Sequence, residues 1–253
     1  MTRSVASGLL ILVLVGCGRG ATRPSESRPA STPAPVQEEV GPLTEAVAVR
    51  PPGPVTQIRG QAPSLAFGRD ERLWVAFEED GLVKVASSWD FGTSFTHPVT
   101  VNSEPEKVEI NGENRPKIQL GDDDTVYVSW TRKLPGRFTG DVRFSRSIDG
   151  GTTFEAPRTI NDDGLQIGHR FESLGVDALG HIYLAWIDKR DRGPARQRGE
   201  AYRGAAVYSA VSTDRGQNFA ENQRVAPHAC ECCRIAMAPA PDGGVAVLWR
   251  HIF

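Results

Sequence analysis

The sequence predicts an all-β chain of repeated four-stranded sheets, a β-propeller, and two repeats predict it. A turn motif, Ser-x-Asp-x-Gly-x-x-Phe, occurs at Ser88 to Phe95, Ser147 to Phe154 and Ser212 to Phe219. The copies start roughly 60 residues apart, the length of a four-stranded blade. The second repeat is an apolar run ending in an aromatic: Leu73 to Phe77, Val126 to Trp130, Ile182 to Trp186 and Val245 to Trp249. Each run is rich in β-branched and aromatic residues and follows a Gly/Asp turn, so each is read as the second strand of a hairpin.

In chain order, the first element is a leader. Arg3 precedes an apolar stretch from Val5 to Val15, roughly 10 residues and too short to span a bilayer, which takes about 20 in a helix. It reads as a signal peptide over residues 1–17. Leu14-Val15-Gly16-Cys17 resembles a bacterial lipobox, which implies a lipidated Cys17, a membrane anchor through that lipid, and a place in the cell envelope on the outer membrane or its periplasmic face. Residues 18–54 carry many prolines with Ser, Thr and Glu and almost no aromatic side chain. Such a segment buries too little apolar surface to order itself, so it is expected to be a tether. The remaining stretch, 55–253, is enough for one domain. Its charges are interspersed and the chain's formal net charge is -2, which leaves no basic stripe for nucleic acid and argues against that class of partner.

Each blade is expected to run A to D from the axis outward. Third strands are read at Val83 to Ser87, Asp141 to Arg146 and Ala205 to Val211, each leading into a turn motif. Those turns therefore join strands C and D. In them the Asp (Asp90, Asp149, Asp214) accepts backbone N–H bonds, the Gly two positions on (Gly92, Gly151, Gly216) tolerates positive φ, and the Ser (Ser88, Ser147, Ser212) bonds the same loop. The Phe (Phe95, Phe154, Phe219) is expected to tuck between strands. The long loops, 102–114, 131–140, 161–169, 187–204 and 226–233, then fall on the opposite face, where function concentrates. About three and a half blades are legible, and the chain is expected to be part of a larger ring.

The three turn motifs resemble the Asp-box (BNR) repeats of the sialidase family, over about residues 60 to 250. The resemblance implies a six-bladed propeller with the boxes on the rim, away from the active site. It also implies three arginines holding a substrate carboxylate, a Tyr nucleophile assisted by Glu, and an Asp acid/base. This chain departs from that pattern: where the first family arginine stands in an Arg-Ile-Pro-like motif, the sequence reads Gly60-Gln61-Ala62-Pro63. No Tyr nucleophile can be assigned.

Counted back from the closing aromatic of each second strand, Arg115, Arg170 and Arg234 occupy the same place to within one residue in three successive repeats. They are expected at the start of the innermost strands, around one mouth of the axis, where guanidinium forks suit carboxylate or phosphate. The alternative is pairing inside each blade, such as Arg170 with Glu172 or Asp188. A retaining glycosidase needs two carboxylates; Asp188 and Asp191 are the candidates on the loop face, with a solvated mixed-charge loop as the alternative.

The least ordinary segment is His228-Ala229-Cys230-Glu231-Cys232-Cys233-Arg234. With Cys17 lipidated, three thiols remain, an odd number for an exported protein. A disulfide plus a free thiol, a copper or zinc site on Cys230, Cys232, Cys233 and His228, or a thiol redox role are the alternatives. His169 and His251 are further possible ligands. The function expected from all this is a lipid-anchored envelope propeller that binds a glycan, an anionic small molecule or an envelope protein without catalysis. The competing expectation is an exo-α-sialidase or related glycoside hydrolase.

Overall fold

The computed structural model describes residues 9–14, 53–111 and 114–253, the first of these as backbone only. Cys17 and almost all of the expected tether lie outside the described residues. Strand β1 is Leu9–Leu14. The first full sheet is β2 (Gln61–Phe67), β3 (Leu73–Glu79), β4 (Leu82–Ser88) and β5 (Val99–Thr100). The second is β6 (Lys117–Leu120), β7 (Val126–Lys133), β8 (Gly140–Ser147) and β9 (Arg158–Thr159). The third is β10 (His169–Val176), β11 (Ile182–Asp188), β12 (Ala205–Ser212) and β13 (Gln223–Ala229), with a short helix, α1 (Arg192–Gln197), between β11 and β12. A fourth sheet holds β14 (Ala236–Pro239) and β15 (Val245–Arg250).

Among the described residues the strands of each sheet pair antiparallel, and in each full sheet they pair in chain order. The first strands neighbour one another in succession, β2 beside β6, β6 beside β10 and β10 beside β14. The sheets therefore fan about a common line like propeller blades, as the repeat spacing predicts. All four aromatic-ended runs are second strands.

Stacked blades bury both faces of a sheet, so their strands read as continuous apolar runs rather than alternating ones. In β7, Val126, Val128 and Trp130 pack against Trp74, Val83 and Val85 of the first blade. The intervening Tyr127 turns to Phe144, Leu184 and Trp186 on the other side. In β11, Leu184 and Trp186 face the second blade while Tyr183, Ala185 and Ile187 face Val245, Val247 and Trp249 of the fourth. Trp130 and Trp186 are fully buried, and each satisfies its indole N–H on a carboxylate: Trp130 Nε1 donates to Glu106 (2.9 Å) and Trp186 Nε1 to Asp188 (2.7 Å).

The Asp boxes form as expected. In the second, the Ser147 hydroxyl donates to Asp149 Oδ1 (2.7 Å) and accepts from the Gly151 N–H (2.8 Å), while Asp149 accepts from the Thr153 N–H and hydroxyl. The same set recurs around Ser88 and Asp90 and around Ser212 and Asp214. Bonds from Ser94, from Thr153 and from the Asn218 backbone lead the causes that hold Asp90, Asp149 and Asp214 down at about 2. The glycines have a second role. A Cβ on Gly151 would lie 2.6 Å from the Trp74 ring of the preceding blade, and one on Gly216 would lie 2.9 Å from Phe144, whereas Gly92 has no such neighbour within 3.4 Å.

Backbone β1 lies antiparallel on β15, where a third strand of that sheet would run. An unpaired edge accepts an apolar β-branched segment through its free N–H and C=O groups. These are residues of the stretch read above as a leader.

Candidate functional site

Loops after second strands and loops before first strands meet on the face opposite the boxes. Gly140 bridges Gly168, the Lys189 N–H donates to the Gly168 carbonyl (3.2 Å), and Glu231 reaches across to Lys189 (2.6 Å) and Arg192 (3.2 Å). The segment 187–204, read as a plain loop, contains α1. Pro194 sits in its first turn, where a missing N–H costs nothing.

The three repeat-related arginines meet different fates. Arg170 is buried and grips Glu109 of the neighbouring blade's loop with both arms of its fork, Nε to Oε2 at 2.7 Å. Neither Glu172 nor Asp188 is its partner. Arg234 is exposed; its guanidinium lies 4.3 Å from the Phe171 ring centre and donates to the Cys232 carbonyl. Because Arg170 lies 4.6 Å from the same ring, these two share one neighbourhood. Arg115 is exposed, and its carbonyl accepts from Lys117 Nζ (2.8 Å). A common ring of three open guanidinium groups does not form, since Arg170 is committed to Glu109.

What the sequence reading missed is a cationic cavity of about 380 Å³ beside them, lined by Arg137, Phe138, Lys189, Arg192 and Arg196. Phe138 is half exposed and has positive φ. Arg137, Arg170 and Lys189 stand 4.7, 5.2 and 5.8 Å from its ring centre. Glu231 neutralises Lys189 and Arg192 in part; among the described residues Arg137 and Arg196 have no acidic partner. The signal was present as scattered basic residues in two loops, but only folding brings residues 137 and 196 together.

A larger cleft, about 700 Å³, lies on the box side between Trp74, Trp89, Phe95 and Gly151. Its one arginine, Arg72, is half-buried, lies 4.2 Å from the Trp74 ring centre and 5.1 Å from that of Trp89, and donates to Ser87. Size favours this cleft, while the loop face gathers cations in a hollow that concentrates their field on an anion.

The candidate carboxylates are structural in their contacts. Asp188 is fully buried at the end of β11, saturated by Trp186, the Arg190 N–H (2.8 Å) and the Arg190 guanidinium. It caps a Trp as Glu106 does in the second blade. Asp191 accepts from Tyr208 (2.7 Å), Tyr202 (3.2 Å) and Arg224 (3.1 Å). His169 is buried between the Gly140 carbonyl and Asp163, with Asp188 at 3.9 Å. Glu172 is completely buried and burial pushes its carboxyl up, although Lys117 lies 4.0 Å away; Thr131 donates to one oxygen and the other has no hydrogen bond.

The three thiols of the 230–233 turn converge, all Sγ atoms lying within 4.8 Å of one another, and none forms a disulfide. Cys233 donates to Cys230 (2.6 Å), and Cys232 lies 3.5 Å from Cys230. Burial would push the Cys230 thiol up, but bonds from its neighbours, Cys233 foremost, leave it lowered, while burial and the same contact raise Cys233. His228 is not part of this group. Its Nδ1 accepts the Arg203 N–H (3.2 Å), and its ring lies tilted against Tyr202 and edge-on to His251.

No family model matches the chain, and no curated protein matches it in sequence. Solved structures are similar in fold. A Dyadobacter fermentans protein of unknown function aligns at 16% identity and TM-score 0.53, over 79% of this chain and 66% of that one. The endo-arabinase from Bacteroides thetaiotaomicron aligns at 12% identity and TM-score 0.51, over 78% and 71%. The Hadza microbial sialidase Hz136 aligns at 16% and TM-score 0.46, over 69% and 39%, a likeness too distant to argue from. The chain thus spans less than two thirds of the Dyadobacter protein and of the sialidase. At these identities the likeness shows the fold alone, a β-propeller.

Proposed function

We propose that the blades of this chain bind an anionic glycan or similar carboxylate-bearing ligand at their loop face without cleaving it. The observation that carries this reading is the cavity around Phe138, where four cations face one carboxylate. An aromatic face beside guanidinium groups suits a sugar ring with an acidic substituent. The carboxylates nearest the cavity are engaged by Arg170, Arg190, Tyr208, Lys189 and their neighbours, which leaves no acid and base pair facing it among the described residues. We further propose, from the leader and the Leu14-Val15-Gly16-Cys17 motif, that the protein is exported and anchored through Cys17. Fatty-acid labelling of the wild type that disappears in Cys17→Ser tests the anchor.

The binding test is calorimetry of the chain with N-acetylneuraminate and oligogalacturonate against a neutral arabino-oligosaccharide. Binding confined to the acidic sugars supports the reading, and equal binding of the neutral sugar overturns it. The second reading, glycoside hydrolysis, is favoured by the shared fold with an arabinan-degrading enzyme and by the buried Glu172. Turnover of a fluorogenic sialoside or of arabinan by the full chain would replace the first reading with the second.

A further inference from the structure

We propose that Cys230, Cys232 and Cys233 form a binding site for one cuprous ion held by three thiolates. The turn is built for convergence. The Cys230 N–H is fixed to the Arg250 carbonyl (2.9 Å), the Cys233 N–H bends back to the Cys230 carbonyl (3.4 Å), and Arg234 clamps the Cys232 carbonyl (2.6 Å). Three sulfurs from four consecutive residues thereby share one centre. Metal–sulfur bonds of about 2.3 Å place three ligands about 4 Å apart in a planar trigonal array, which the present spacings of 2.6 and 3.5 Å reach by side-chain rotation.

The donor set selects the ion. Soft thiolates prefer copper in its lower oxidation state, and two or three of them satisfy it. Zinc takes four donors, but among the described residues no fourth ligand atom lies within the group of three sulfurs. A disulfide would use two sulfurs and leave the convergence of the third without a role. Binding forms three copper–sulfur bonds and releases three protons, with no change in oxidation state, when the ion arrives as Cu(I). The site then carries a charge of two minus, and Arg250, with Nη1 3.8 Å from Cys233 Sγ, offsets part of it.

The test uses the full chain with Cys17→Ser, so that these are the only thiols, reduced and desalted without oxygen and titrated with Cu(I) against bathocuproine disulfonate. Retention of one ion per chain, release of three protons and protection of all three cysteines from iodoacetamide are expected. Cys232 is exposed, so Cys232→Ser is expected to lose retention with an unchanged circular dichroism spectrum, and Arg196→Ala to keep it. No retention by the parent, undiminished retention by Cys232→Ser, or a Cys230–Cys233 disulfide in untreated protein would overturn the site. None of these outcomes depends on the sugar-binding reading.

Discussion

A single hydroxyl organises each hairpin corner. Ser147 both donates to Asp149 and accepts from Gly151, so Ser147→Ala strands a buried N–H and is expected to cost about 1–3 kcal/mol, read by urea unfolding. The partnered Asp carboxylates sit at about 2 when folded, below the ordinary value. Their contribution to stability is therefore complete above about pH 4 and is lost as the pH falls through about 2. Thermal midpoints should drop over that window, and replacing Asp90, Asp149 and Asp214 together by Asn should flatten the drop. Glu172 has the opposite sign: its raised carboxyl makes the folded state less stable as pH rises above the ordinary carboxylate range. Glu172→Gln is accordingly expected to gain stability relative to the parent at pH 8 and little at pH 4. The boxes were legible because their chemistry is local, closing within four residues. The fate of Asp188 was not: its partners Trp186 and Arg190 stand only two positions away, but a run of mixed charge does not say that the carboxylate is buried against them, and the parallel pair Glu106 and Trp130 is 24 positions apart.

Between elements, the Arg170–Glu109 fork and the box glycine are two of the contacts that join neighbouring blades. The Arg170–Glu109 fork ties the second blade's loop to the third blade's inner strand while almost wholly buried. Removing one partner strands a charge, so Arg170→Ala is expected to cost about 3–5 kcal/mol in chemical unfolding; any loss of ligand binding in that variant must be read against its stability. The second contact is the box glycine. Gly151→Ala meets both positive φ and the Trp74 ring, whereas Gly92→Ala meets positive φ alone. Backbone strain of about 1–2 kcal/mol should apply to both, and overpacking of about 1–3 kcal/mol to Gly151→Ala only, a difference that parallel unfolding curves would resolve. Strand positions were legible from apolar runs; of the repeated arginines, Arg170 lies within β10 while Arg115 and Arg234 stand two residues ahead of β6 and β14. Their environments were not legible, because a repeat preserves the place of a residue and leaves its partner to the neighbouring loop: Glu109 for Arg170, Phe171 for Arg234. A third repeat went unread, Thr100-Val101-Asn102 and Thr159-Ile160-Asn161, in which Asn102 and Asn161 accept the Val83 and Val142 N–H groups and fasten the outer strand to the third.

At the scale of the whole molecule, charge is nearly balanced and yet unevenly spread, with a cationic hollow on the loop face. Exposed ion pairs contribute about 0–1 kcal/mol each, so a single change there should be hard to detect. Arg137→Ala with Arg196→Ala is expected to weaken binding of an acidic sugar by roughly tenfold, and salt should weaken the parent likewise. The propeller was legible from repeat spacing alone; the hollow was not, since its residues come from loops about 50 positions apart that meet through blade stacking. The glycine seats in the boxes bear on how such a molecule changes over evolutionary time. Each repeat carries a key on its own corner and, in Trp74 or Phe144, the lock for the repeat that follows. Tandem duplication of one unit copies both halves of the joint at once, so the number of units can grow or shrink by whole steps without a new seam having to be invented.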